Sequence, residues 1–565
     1  MQKKRLYLLM GFLLFLWGFL FTRLFYCQII QGHRISQEVT KMRSREIDMR
    51  ELPRGEILDR HLVPLTDYLS SPALYCLPRA ITSQHGSRSK AYKELAHFLA
   101  ARLQHADAKK IEADLKKASV NKTAIIRLCT NLSSEEREII QAAHNPALVV
   151  APYFKRYPEN GFMAHLLGYA IKEEKPEQIN GTGLERDYYQ LLDNSSSQYR
   201  LLTALDARGN MIPGLSLRVG NQDSIKNALV LTIDKRVQKL VEEIMNQRIA
   251  KGAVVVLDVK SKEVLAMASR PTYIQNQVEE YLADVDSPLI NRVLTPYYPG
   301  SLFKIVISLA AGEENLVKTG EVFNCTGKYS FNNQVAISCL KKEGHGDLSF
   351  EEAFAKSCNP TFINVGLRLG RSRLLEYVER LHLTDPELRG MQEVQSGTYV
   401  QIDGGEAALG NVCVGQRGVM LSPLQIASLL ATVADDGFWA PPVVVKYTLD
   451  GEGKKSAFSP YRKKKVIKTT TAQGVQRMME KVVEEGSGQN ARLSDLRVAG
   501  KTATSQTGQI NKNGEEILNT WFAGYLPADS PRWVIVVLAE EGQSGAQNCA
   551  PVFKDICQGM LQISP

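Results

Sequence analysis

The sequence predicts a multidomain α+β protein carried on one N-terminal transmembrane helix, and three observations predict it. The chain has 565 residues, more than one hydrophobic core organises, so two or three domains are expected. Lys3, Lys4 and Arg5 precede an uncharged run from Leu6 to Thr22, and beyond Arg23 the apolar stretch continues to Ile30. In the C-terminal half, strand-like runs stand at both ends with helical spacing between them, as in one mixed or antiparallel sheet covered by helices. The expected organisation is a short cytoplasmic N-terminus at 1–5, an anchor at 6–30, an α+β module at 31–225 and a second α+β module at 226–565.

The anchor is long enough to cross a bilayer if Arg23 snorkels to the interface. Basic residues ahead of it predict a cytoplasmic N-terminus and an outward-facing remainder. A cleaved signal peptide is the alternative, opposed by the length of the run and the lack of a prompt small-x-small site. The module that follows mixes turns, strands and amphipathic helices. Leu52-Pro53-Arg54-Gly55-Glu56-Ile57-Leu58-Asp59-Arg60 reads as a turn entering a strand, Ala91–Leu103 and Ser134–Ala143 read as helices, and Gly181-Thr182-Gly183-Leu184-Glu185 leads into a short helix at Arg186–Leu192. No chemical cluster stands out there.

At Asp234 the pattern changes. Asp234 caps a helix with an apolar stripe of Val237, Leu240, Val241, Ile244 and Met245. Ala253–Asp258 and Glu263–Ala268 read as a hairpin across a polar turn. Near the C-terminus, Arg497–Gln506, Thr520–Tyr525 and Trp533–Leu538 read as strands, and a last helix starts near Pro551.

The formal charge of +9 is spread along the chain. It suits an anionic surface such as lipid headgroups or cell-wall polymer, and the lack of a basic, aromatic-interleaved stripe argues against nucleic acid. Nine cysteines show no C-x-x-C and no metal-like spacing, so no metal site is expected. Cys325 and Cys339 flank a short polar segment and are candidates to pair.

Three short motifs carry chemistry. Pro299-Gly300 is a turn that delivers Ser301 to the start of a helix, and helical spacing puts Lys304 on the same face. A hydroxyl so placed has an amine nearby to take its proton, and the helix N-terminus favours developing negative charge. By itself S-x-x-K is weak, since about two chance matches are expected in a chain of this length. Ser349 with Glu352 forms a capping box for a helix through Lys356, broken at Ser357-Cys358-Asn359-Pro360, where Pro360 disfavours a helical Asn359. In the run Gly500-Lys501-Thr502-Ala503-Thr504, alternation sends Lys501 and Ala503 to one side and Thr502 and Thr504 to the other.

The order S-x-x-K, S-x-N, K-T-x resembles the penicillin-binding protein and serine β-lactamase superfamily. The chain resembles most closely the class B penicillin-binding proteins, membrane-anchored peptidoglycan transpeptidases. Arg54 to Arg60 and Gly181 to Glu185 look like motifs of their elongated N-terminal pedestal (dimerisation-like) domain. Asn291-Arg292 and Leu421-Ser422-Pro423-Leu424-Gln425-Ile426-Ala427 are similar to further family signatures.

The resemblance implies a β-lactamase-like catalytic fold with no cofactor, acting on peptidoglycan stem peptides and acylated by β-lactams. It implies Ser301 as nucleophile, Lys304 as base, and Ser357, Asn359 and Lys501 as further catalytic residues. Thr502, Ala503 and Thr504 would bind substrate, and the backbone N–H groups of Ser301 and Thr504 would form the oxyanion hole. A second cation at Lys501 and partial burial are both expected to depress the pKa of Lys304. A multi-span glycosyltransferase is the expected partner, because no glycan-polymerising domain precedes the pedestal. Ala503 departs from the family's usual glycine, and Gly415-Gln416-Arg417-Gly418 carries an extra Arg417. A β-lactamase, a β-lactam sensor and a catalytically impaired scaffold are the rival readings.

Overall fold

A computed structural model describes residues 2–31, 44–47, 54–66, 69–81, 87–104, 106–120, 125–145, 147–172, 179–193, 201–204, 218–219, 227–331, 335–384, 386–392, 400–458 and 461–563. Leu52 and Pro53 of the first pedestal-like motif lie outside the described residues. The chain divides into two compact units. One comprises Met1–Arg54, Tyr68–Arg156 and Asn194–Ser224, the other Gly55–Asp67, Tyr157–Asp193 and Ile225–Pro565.

In the first unit an α-helix at Gln2–Phe25 runs into a π-helical turn at Tyr26–Ile30. Tyr7–Ile30, mean hydropathy 2.0, is the one helix among the described residues long and apolar enough to cross a membrane. Farther on, Leu69–Cys76 is the central strand of a three-stranded antiparallel sheet, flanked by Ile126–Cys129 and Leu148–Lys155. Helices Arg88–Ala100 and Ala108–Val120 bury Leu95, Leu99, Ile111 and Leu115 in one cluster with Leu74 and Cys76. The helix at Ser134–Ala142 is opened by a reciprocal capping box between Ser133 and Glu136, which satisfies two otherwise orphaned N–H groups.

The second unit is built on five antiparallel strands, β1 (Gly252–Asp258), β2 (Val264–Arg270), β3 (Ala499–Ile510), β4 (Glu516–Leu526) and β5 (Trp533–Ala539), in the order β2-β1-β5-β4-β3. The start and finish of the unit share one sheet because β1 pairs with β5, Val254 opposite Val537 and Val256 opposite Ile535. Alternation sorts the side chains between two cores. Val254, Val256, Ile535 and Val537 face helices Lys235–Arg248 and Ala550–Ile563. Val255, Leu257, Val536 and Leu538 face a larger cluster that holds Ile426 and Leu430 of helix Pro423–Ala434 and Phe303 beside Ser301. Burial on both faces is why these strands read as continuous apolar runs.

The segments Gly55–Asp67 and Tyr157–Asp193 join this unit through specific polar contacts. Asp59 is buried and accepts N–H bonds from His61 and Val63 at 2.8 Å and from Lys235 at 3.1 Å, so it orders its own turn and the first turn of helix Lys235–Arg248. Arg60 pairs with Glu263 at 2.9 Å. Gly183, at φ +67°, abuts Gly168, and a Cβ there would stand 2.8 Å from the Gly168 Cα. The G-T-G motif is therefore a place where two backbones touch and a side chain has no room.

The Met163 N–H donates to Glu242 at 2.9 Å, and Glu242 also pairs with Arg270 at 3.1 Å. Next to them His165 is buried, its Nε2 2.7 Å from the Pro288 carbonyl and its ring edge-on to Tyr273. Burial outweighs the Pro288 contact and holds the imidazole pKa down to about 4. A histidine kept neutral by folding contributes stability that is complete above its unfolded pKa of about 6.5 and is lost as the pH falls from there towards 4. The loss amounts to about 2 kcal/mol by pH 5. His165→Gln retains a donor for Pro288 and cannot titrate. Denaturant unfolding followed by the fluorescence of Trp439, Trp521 and Trp533 should show a shallower acid limb in the variant by that amount. Equal pH slopes in the two proteins would refute the assignment.

Candidate active site

Pro299 and Gly300 form the turn ahead of Ser301. Gly300 takes φ +53°, and its N–H donates to the Gly415 carbonyl at 2.8 Å. A Cβ on Gly300 would lie 2.9 Å from the Thr504 carbonyl oxygen and 3.4 Å from the Ala503 methyl, so both backbone and space call for glycine. Ser301 sits in a 3-10 turn, Gly300–Leu302, that leads into helix Lys304–Glu313, whose residues Lys304–Ala311 are all buried. No bond from the Ser301 N–H is formed among the described residues.

Two features brace this turn from behind. Tyr297 exchanges backbone hydrogen bonds with Leu421 at 3.0 and 2.8 Å. Its hydroxyl and the Arg292 guanidinium both donate to Glu540, at 2.7 and 2.8 Å. The L-S-P-L-Q signature is explained by the same contact: Leu421 pairs with the serine segment, Ser422 and Gln425 form a capping box, and Pro423 occupies the first turn of the helix.

Lys304 is fully buried and is the hub of the site. Its Nζ donates to the Ser357 carbonyl at 2.8 Å, to Ser357 Oγ at 3.2 Å and to Asn359 Oδ1 at 2.7 Å. Ser357 Oγ stands 2.8 Å from Ser301 Oγ. Lys304 therefore reaches Ser301 through Ser357, where the sequence suggested direct contact. Ser357 adopts a left-handed φ of +56°, a conformation that costs about 1–2 kcal/mol in a residue with a Cβ. The capping box at Ser349 and Glu352 opens helix Phe350–Ala355 as expected. The next helix starts at Asn359 itself, against expectation, with Pro360 in its first turn. Pro360 is tolerated there because its missing N–H would have had no intrahelical partner. Asn359 is oriented by a second bond, from its Nδ2 to the Ser338 carbonyl at 2.8 Å.

The third motif lies on β3, the edge strand nearest the serine turn. Lys501 is fully buried, donates to the Thr502 carbonyl at 3.1 Å and lies 5.7 Å from the Phe354 ring centroid. Ala503 belongs to the cluster that holds Leu302 and Phe303, so the expected alternation holds. The Thr504 carbonyl faces Gly300 on the open edge of the strand, and in a strand the N–H of a residue points the same way as its C=O. Thr504 Oγ1 accepts a long bond, 3.4 Å, from the Gly545 N–H. The Thr502 hydroxyl is taken up by Ser487 at 2.5 Å.

Burial is the leading cause that pushes Lys304 down to about 8. Lys501 is pushed well below its ordinary value, first by burial and then by the charge of Lys304. Burial is thus the first cause for both lysines, as expected for Lys304, and the repulsion between the two ammonium groups disfavours charging both at once.

Sequence reasoning missed Ser487, Ser338, Tyr297 and Glu540 as contributors, and met Arg292 and Gly415 only as parts of family-like motifs. Ser487 stands in a plain Gly486-Ser487-Gly488 loop, and Ser338 acts through its carbonyl, so neither had a signal to find. It also missed a cluster beside the Ser357 loop. Cys325, Cys339, Cys358 and His345 bring their ligand atoms within 4.8 Å of one another. Cys325 and Cys339, the expected pair, are free thiols, and each approaches His345 Nδ1, at 3.6 and 3.5 Å.

Residues 252–558 match the family described as the penicillin binding protein transpeptidase domain, and residues 50–200 match the penicillin-binding protein dimerisation domain. The chain is 30% identical to stage V sporulation protein D of Bacillus subtilis, over 99% of this chain and 85% of that protein. It is 27% identical to the peptidoglycan D,D-transpeptidase MrdA of Haemophilus influenzae, over 98% and 91% of the two chains. With the peptidoglycan D,D-transpeptidase FtsI of Escherichia coli the identity is 26%, over 99% and 91%. A serine turn, an S-x-N loop and a lysine-bearing edge strand gathered in one site, with domain matches in both halves of the sequence, show that the chain belongs to the class B penicillin-binding proteins.

Proposed function

We propose that this protein is a peptidoglycan D,D-transpeptidase that cross-links stem peptides through a Ser301 acyl-enzyme. The hydrogen-bonded path between Lys304, Ser357 and Ser301 carries the reading: charged Lys304 donates to Ser357 and Ser357 to Ser301, and with Lys304 neutral the two hydroxyls turn about, so the Ser301 proton has a route to a buried amine. Neutral Lys304 accepts a proton from Ser357 Oγ as Ser357 Oγ accepts one from Ser301, and Ser301 attacks the penultimate carbonyl of a D-alanyl-D-alanine terminus. The tetrahedral oxyanion is stabilised by the N–H groups of Ser301 and Thr504, each worth roughly 3 kcal/mol in analogous sites. Return of the proton by the same path to the leaving nitrogen releases D-alanine and leaves the ester. An acceptor amine from a second stem then attacks the ester and regenerates Ser301.

Asn359, held by Lys304 and Ser338, positions the Ser357 loop and offers its amide to the substrate backbone. The peptide lies along the free edge of β3, the mode of β-augmentation. The arriving carboxylate raises the proton affinity of Lys501, so Lys501 becomes the counter-ion only when substrate is present. Thr504 contacts that carboxylate, whereas Thr502 acts from behind through Ser487.

The anchor at 6–30 would tether the catalytic unit to the outer face of the cell membrane in a single pass, since basic residues precede it. A multi-span glycosyltransferase, supplying nascent glycan, is the partner such an enzyme needs.

A fluorescent penicillin should label the wild-type protein at Ser301 and leave Ser301→Ala unlabelled. The adduct should outlast the labelling reaction. Rapid turnover of the drug would favour a β-lactamase, and no adduct would favour an impaired scaffold. Ala503→Gly removes a methyl packed on the serine turn and loosens the strand that carries Thr504. It should lower stability by about 1 kcal/mol and slow acylation several-fold in a stopped-flow measurement. Equal second-order rates in the two forms would remove any functional role for that methyl.

A further inference from the structure

We propose that Cys325, Cys339, Cys358 and His345 bind a structural zinc ion that holds the Ser357–Asn359 loop in place. This goes beyond the transpeptidase reading; metal binding does not depend on that reading, and only the effect on penicillin labelling rests on it.

The geometry of the four ligand atoms carries the proposal. In a tetrahedral site with Zn–S of about 2.3 Å and Zn–N of about 2.0–2.1 Å, a sulfur and a nitrogen stand about 3.6 Å apart. The distances from His345 Nδ1 to Cys325 Sγ and Cys339 Sγ are 3.6 and 3.5 Å. With Cys358 Sγ, all four atoms lie within 4.8 Å of one another, against about 3.8 Å between two sulfurs bound to one zinc, so a shift of about 1 Å at most closes them on an ion. Three thiols and an imidazole are the soft and borderline donors that select zinc over magnesium or calcium, and four protein ligands close the shell as in a structural site. The ligands come from separate places: the end of strand Phe323–Cys325, the residue after strand Ala336–Ser338, the residue before strand Gly346–Leu348, and the residue that opens helix Asn359–Leu369.

The surroundings fit thiolates. The Thr361 hydroxyl donates to Cys358 Sγ at 3.3 Å, and backbone N–H groups of Asn359 and Lys341 point to Cys339. Such contacts orient metal ligands and moderate their charge. Binding replaces three thiol protons, which leave to solvent, so zinc with three thiolates and a neutral imidazole carries one net negative charge. The Lys304 amine is fully buried and bonded to the Ser357 carbonyl and to Asn359, the residues on either side of Cys358, so it stands close to the centre. A disulfide would use two of the sulfurs and leave the third thiol and His345 without a role.

Cys358 lies between Ser357 and Asn359, and Cys339 follows Ser338, whose carbonyl holds Asn359. An ion binding both cysteines would pin the left-handed Ser357 from one side and the Asn359 amide from the other. The chain would thereby offset the cost of that loop conformation.

The test uses full-length protein purified in detergent with no added metal or chelator. Elemental analysis should find about one zinc per chain, largely lost in His345→Gln and in Cys325→Ser, and retained in Ser301→Ala. Cobalt exchanged into the wild type should give a sulfur-to-cobalt charge-transfer band and the ligand-field bands of a tetrahedral centre. Chelation should lower penicillin labelling of Ser301 at least tenfold, with recovery on adding zinc. Metal-free protein whose three thiols all alkylate freely, or a Cys339–Cys358 disulfide in the isolated protein that chelator does not affect, would overturn the proposal. Should either ligand variant misfold, zinc content and the cobalt spectrum of the wild type decide the matter alone.

Discussion

The site depends on the removal of the Lys304 amine from water. A lysine fully buried in an apolar helix is unfavourable unless every donor finds an acceptor, and here three do: the Ser357 carbonyl, the Ser357 hydroxyl and the Asn359 amide oxygen. Those acceptors sit on one inter-helix loop. Satisfying the lysine therefore positions the loop, and the loop places a hydroxyl 2.8 Å from Ser301. The same burial that lowers the pKa of Lys304 makes it a usable base near neutral pH, so one packing decision supplies both geometry and reactivity.

The rest of the unit keeps that lysine dry and the serine turn still. The sheet places β3 at an edge with one side paired to β4 and the other open, so one strand can hold Lys501 inward while leaving backbone groups for a peptide. Gly300 allows the serine turn to touch that strand, and Gly415 allows the neighbouring loop to touch Gly300; a Cβ on Gly415 would stand 1.8 Å from the Gly300 carbonyl oxygen. Behind them, the shared contacts of Glu540 with Arg292 and Tyr297 tie the serine segment to the residue just past β5. A shift in any of these would move Ser301 relative to Thr504, the two N–H groups on which transition-state stabilisation would rest.

Segments far away in sequence serve the same unit. Asp59 accepts the first N–H of helix Lys235–Arg248, which Asp234 caps, and the Met163–Glu242–Arg270 contacts join Tyr157–Asp193 to β2 and that helix. This is why motifs around Arg60 and Gly183 accompany a unit whose sheet starts much later: they complete its polar contacts and its close backbone packing.

What the sequence by itself determined was whatever rests on local rules. Turn residues before Ser301, the capping boxes at Ser349 and Ser422, the strand alternation around Lys501 and the apolar anchor are periodicities and end signals, which depend on neighbours a few positions away. The family resemblance then ordered these pieces into one site. Tertiary structure alone decided how far the charges are desolvated, because burial is not a local property: Lys304 and Lys501 are both lowered first by desolvation, and the contact of Lys304 with Ser301 runs through Ser357. It also decided that Thr502 answers to Ser487 and that Asn359 begins its helix. Most clearly, it gathered Cys325, Cys339, His345 and Cys358, whose separations carry no ligand spacing, because hairpin and helix ends bring together residues that sequence distance keeps apart.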